Sequence, residues 1–129
     1  RHYRAIEREY LSPVLGERPL GRVAVCADAI PWKWNPPHLD LNDRVLQYAQ
    51  ERMALIVGVL RPKLVLTLGT FAADSLRLPH PADPPRRADQ ANGWVGSCLP
   101  AFHPNKRWPP GARAIYLDAV RRLVADAVQ

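Results

Sequence analysis

Arg61-Pro62-Lys63-Leu64-Val65-Leu66-Thr67-Leu68-Gly69-Thr70 is the stretch on which the fold reading turns. Pro62 has no amide hydrogen to continue a helix, so a helix arriving from upstream must stop there. Leu64 to Leu68 form a short run closed by Gly69, the pattern of a strand buried on both faces, and such strands belong to parallel sheets. Thr70 is placed to cap a short helix through Phe71, Ala72, Ala73 and Leu76, so Gly69 turns strand directly into helix.

Upstream, Val45, Ala49, Met53, Ile56, Val57 and Leu60 recur every three or four residues, with Asn42 or Asp43 placed to cap the start, which predicts a long amphipathic helix. Earlier still, Gly21 to Ala27 is short, β-branched and bounded by a loop from Asp28 to Pro37, which predicts a strand ending at Asp28. Tyr3, Ile6 and Tyr10 space a first helix that Pro13 and Gly16 interrupt.

Downstream, a Pro-rich loop from Pro79 to Pro85 continues into Arg86 and Arg87, and Asn92-Gly93 marks a turn. Trp94 to Phe102 reads as a strand, and Tyr116, Val120, Leu123, Val124 and Ala127 give a final amphipathic helix. Helices and strands therefore alternate along a single domain over residues 1–129, the order of a parallel open sheet with right-handed crossovers.

Composition narrows the function classes. The chain has 129 residues, 47% hydrophobic and 23% charged, enough to bury one core without disulfides or metals. Lys and Arg number 18 against 12 Asp and Glu, a net charge of +6, which concentrates polyanions around the protein and makes nucleic acid the first partner to consider. No apolar run is long enough to cross a bilayer, and the charged start at Arg1, His2, Tyr3 and Arg4 is unlike a secretory signal, so a cytoplasmic location is expected.

Cys26 and Cys98 stand far apart with no Cys-x-x-Cys pair, so no metal site or iron–sulfur cluster is expected, and both read as buried, reduced thiols. There is no Gly-x-Ser-x-Gly elbow, no Walker loop and no His-Glu-x-x-His helix.

In open parallel sheets ligands bind outside the carboxyl ends of the strands, which selects three loops. The richest is His103-Pro104-Asn105-Lys106-Arg107-Trp108: two cations to neutralise phosphates, and an indole to stack on a base or press into a duplex. The plain alternative is a solvated loop with Trp108 folded back. The second loop sets Asp28 at a strand end ahead of Trp32 and Trp34, which can line a flat pocket for a base; otherwise Asp28 caps the loop and the indoles fill core. Gly69 and Thr70 offer backbone donors at a helix start, suited to an anion, or simply make a tight turn. His2, His38 and His80 read as incidental.

Taken in order, Arg61 to Gly69 with Ala72 and Ala73, then Leu99-Pro100-Ala101-Phe102-His103-Pro104-Asn105, resembles the second half of the uracil-DNA glycosylase superfamily. The resemblance covers Gly21 to Val128. It implies a three-layer α/β/α domain with a central parallel sheet that flips a damaged base out of DNA and hydrolyses its N-glycosidic bond without a cofactor. Extruding the base costs a few kcal/mol, least at mismatched or damaged positions.

By this resemblance His103 matches the histidine that hydrogen-bonds the base as negative charge develops on it. Asp28, Trp34, His103 and Asn105 become the base-binding set, and Gly69, Thr70, Lys106, Arg107 and Trp108 the DNA contacts. Asp28 falls where many members carry an asparagine; a carboxylate only accepts hydrogen bonds whereas an amide also donates, so the departure implies a base other than uracil, or no base at all. The family's first motif, a Gly-rich turn with a residue that positions water, has no match upstream of Asp28. With Arg1 rather than Met in first place, the expectation is a fragment lacking that strand or a divergent member that has lost the motif. Two functions follow: a DNA glycosylase, or a non-catalytic module of the same fold that binds nucleic acid or a protein.

Overall fold

The computed structural model describes residues 43–128, together with Arg8. The strand read at Gly21 to Ala27, the first helix read around Tyr3, Ile6 and Tyr10, and Asp28, Trp32, Trp34 and Cys26 lie outside the described residues. The described chain runs α1 (Asp43–Leu60), β1 (Leu64–Leu68), α2 (Thr70–Ser75), β2 (Ala88–Ala91), β3 (Trp94–Ala101) and α3 (Ala112–Val128).

The three strands form one sheet in the order β1-β3-β2. β1 and β3 are parallel, with Leu64 opposite Ser97 and Leu68 opposite Ala101. β2 and β3 are antiparallel, with Ala91 opposite Trp94 and Ala88 opposite Cys98. The expected central parallel sheet is therefore corrected: the described sheet is mixed, and its middle strand has one parallel and one antiparallel neighbour.

The physical reason lies in Asn92-Gly93. Both residues take positive φ, 43° and 86°, which is the requirement of a two-residue type I′ hairpin, and Asn-Gly is the strongest short-range signal for one. A tight hairpin can only join antiparallel strands. β2 itself, Ala88-Asp89-Gln90-Ala91, has no β-branched or aromatic residue, so its strand character comes from the hairpin rather than from propensity.

Helices cover both faces of this sheet. On one side Tyr116, Leu117, Val120 and Val124 of α3 bury against Leu99, with Leu64, Leu66 and Leu68 packed on the cluster. On the other, Val57 of α1 and Ala73 of α2 join Leu76, Leu78, Ala91 and Cys98, with Val65 and Met53 packed against them. The alternation of even and odd residues in β1 between the two clusters is the period of two that a strand imposes.

Two local readings are also corrected. β1 is half-buried except for Thr67, not buried on both faces, because it is an edge strand among the described residues. Gly69 rather than Thr70 is the N-cap of α2, and no side chain caps that helix. At the other junction α1 closes with the Arg61 N–H donated to the Val57 carbonyl over 2.9 Å, Arg61 taking a left-handed φ of 46° before Pro62. Thr67 leaves its buried Oγ1 without a hydrogen-bond partner among the described residues.

Candidate nucleic-acid interface

β1 and β3 end side by side, and the Gly69 N–H extends their ladder by one bond, donating to the Ala101 carbonyl at 2.9 Å. Gly69 and the segment leaving β3 thus occupy one end of the sheet. That bond also takes up the amide that an anion at Gly69 would have required, while Thr70 is exposed at the start of a helix of six residues.

From Ala101 the chain enters the loop through Phe102, whose N–H donates to the buried Tyr116 hydroxyl at 3.1 Å. Pro104 sets φ for a turn that the Lys106 N–H closes on the His103 carbonyl at 2.9 Å. Inside the turn the Asn105 N–H donates to Nδ1 of His103 at 3.1 Å. A ring nitrogen that accepts cannot carry the proton, so by its hydrogen bonding the neutral imidazole is the Nε2–H tautomer. The ring is half-buried, and the turn fixes its Nδ1 as a hydrogen-bond acceptor.

The aromatic part of the loop folds inward. Trp108 packs edge-on to Phe102, with ring centroids 5.4 Å apart, and obliquely on Tyr116 at 4.9 Å. Phe102 and Tyr116 complete the triangle at 5.2 Å. Offset and edge-on pairs of this kind each add about 0.5–1.5 kcal/mol beyond area burial. Trp108 is thus a structural anchor of the loop, in the folded-back position.

Lys106 sits over this aromatic group, its Nζ 4.5 Å from the Phe102 centroid and 4.8 Å from that of Trp108. At an exposed site such a contact is worth about 0.5–1 kcal/mol, enough to bias where the ammonium rests. Arg107 beside it is exposed, as is Asn105. The result is two exposed cations on a braced turn, next to an oriented imidazole.

Of the predicted site residues, the structure brings together Gly69, His103, Asn105, Lys106, Arg107 and Trp108, and Asp28 and Trp34 lie outside the described residues. Tyr116 was legible only as a core position of α3; its role in holding Phe102 needed the fold. Burial raises the Tyr116 phenol above its ordinary pKa, opposed by the Phe102 hydrogen bond and aided by the charge of Asp83, so it stays a neutral hydroxyl. Among the described residues no group of three or more His, Cys, Asp or Glu side chains is placed to hold a metal ion, and no helix is long and apolar enough to cross a membrane. Compared with family models, curated proteins and solved structures, the chain matches none.

Proposed function

We propose that this chain is a DNA-binding α/β domain of the base-excision kind, gripping phosphates with Lys106 and Arg107 and presenting His103 to the base. The observation that carries the reading is the Asn105 N–H donated to His103 Nδ1, which fixes the imidazole within the same turn that carries Lys106 and Arg107. When water attacks the sugar carbon, the N-glycosidic bond breaks and its electron pair stays on the base nitrogen. A donor already oriented toward that charge stabilises the transition state more than the ground state.

Two further features support it: the net charge of +6 and the resemblance, carried by Leu64 to Gly69 and Leu99 to Asn105, to the uracil-DNA glycosylase superfamily. The carboxylate of Asp28, in place of an amide, favours a base other than uracil. The test is single-turnover cleavage of oligonucleotides carrying uracil, hypoxanthine or xanthine. His103→Ala is expected to slow cleavage by roughly a hundred- to a thousand-fold, as for loss of one oxyanion donor, with little change in DNA affinity. Unchanged cleavage by the variant would remove His103 from the chemistry.

A second reading is a module that binds DNA without chemistry. It is favoured by one observation in the structure, the inward packing of Trp108 on Phe102 and Tyr116, which withholds that indole from pressing into a duplex. Tight binding by a wild type that cleaves none of the three substrates would select it.

A further inference from the structure

The segment between α2 and β2 holds a groove that none of the predicted site residues lines. Its volume is about 360 Å³, and Arg86, Arg87, His80 and Asp83 line it together with the exposed Pro84 and the buried Pro100. Both arginines are exposed, and the prolines offer no side-chain hydrogen-bonding group, so the polar chemistry of the groove is set by its charged rim. Two guanidinium groups and one carboxylate, Asp83, line it, and a second carboxylate, Asp74, stands at its rim with Oδ1 2.8 Å from Nε2 of the lining His80.

Topology places this groove at the same end of the sheet as the His103 turn. β2 runs antiparallel to β3, so the chain entering β2 at Ala88, opposite Cys98, comes in beside the end from which β3 departs. Pro100, three residues before His103, is shared between the groove and β3. Asp83 is close enough for its charge to act on Tyr116, the residue that anchors Phe102 below Lys106. The groove and the loop are therefore two cationic surfaces on one sheet end.

We propose that the Arg86–Arg87 groove carries the phosphodiester backbone of the DNA strand beyond the His103 turn, so that one strand lies across both surfaces. This rests on the DNA-binding reading above and extends it to a second contact. Guanidinium groups suit the role because their planar fork of donors matches two phosphate oxygens at once. The lining prolines give the sugar edge an apolar surface and, having no backbone donors at those positions, leave the arginines to select for phosphate.

The test is the salt dependence of affinity for a fluorescent oligonucleotide, using the full chain and three variants whose thermal melting is first compared with wild type. Arg86→Ala with Arg87→Ala is expected to flatten the slope of log affinity against log salt by about 0.9 for each phosphate no longer neutralised on duplex, or about 0.7 on a single strand. Arg86→Lys with Arg87→Lys keeps the charge and is expected to retain the slope while weakening affinity. Lys106→Ala with Arg107→Ala tests the underlying reading separately. If that last variant flattens the slope and the Arg86/Arg87 alanine variant does not, the groove is not a DNA contact and only this inference fails. If neither changes the slope, or if millimolar inorganic phosphate displaces the oligonucleotide as well as unlabelled DNA does, a continuous strand across both surfaces is overturned.

Discussion

Gly69 lies against the ring of His103: a Cβ added to it would stand 3.5 Å from the His103 Cβ and 3.8 Å from Cδ2. Those are ordinary contact distances, so space does not exclude a side chain there. The backbone does. Gly69 has φ 90° and ψ 171°, a region that is essentially glycine-only and costs other residues about 1–3 kcal/mol. Gly69→Ala is expected to lower unfolding free energy by that amount in urea titration, and to disturb the ring's position because any relaxation moves the backbone behind it. A loss below about 0.5 kcal/mol, within the range of neutral surface changes, would contradict the assignment of strain.

Thr67 gives the opposite sign. Its hydroxyl is buried with no partner among the described residues, and an unpaired buried polar group costs about 1–3 kcal/mol. Thr67→Val keeps the β-branched shape and removes the hydroxyl, so it is expected to raise stability by about 1 kcal/mol. A destabilised variant would mean that the hydroxyl has a partner.

Cys98 makes stability depend on alkaline pH. Burial first, and the charge of Asp89 second, push its thiol from 9.0 up to about 11. The unfolded chain releases this proton at lower pH than the folded one, so between those values the folded state holds more protons and stability falls as pH rises. The contribution is intact below about pH 9 and is lost through about pH 11, at up to roughly 1.4 kcal/mol per pH unit. Cys98→Ala, although less stable at neutral pH because it packs less well, is expected to show a shallower decline over that window. An equal slope in variant and wild type would assign the decline to other groups.

Much of the described fold was legible because its signals are local. The period of three to four from Val45 to Leu60, the stop at Pro62 and the run Leu64 to Leu68 each report their own element. The sheet's sense was less accessible. Ala88 to Ala91 lacks strand propensity, so Asn92-Gly93 read as a turn without the strand that makes it a hairpin, and a helix–strand alternation stood in for the real order. The loop at His103 was legible as a polar cluster, whereas the inward packing of Trp108 depends on Phe102 and Tyr116, and Tyr116 comes from a helix on the far side of the loop in sequence. Arg86 and Arg87 were visible as charges, but their grouping with Pro100 depends on how β2 meets β3.

Whether the braced turn from His103 to Trp108 contacts DNA is read in the salt slope of binding. Lys106 and Arg107 are exposed, so replacing them removes charge with little packing; among the described residues the Lys106 contact with Phe102 and Trp108 goes with it. Affinity for a duplex oligonucleotide is measured across a salt series for wild type and for Lys106→Ala with Arg107→Ala. Wild type is expected to bind measurably at low salt and the variant to show a slope shallower by about 0.9 for each phosphate left without its cation. No binding by folded wild type at low salt, or identical slopes for the two proteins, would contradict it.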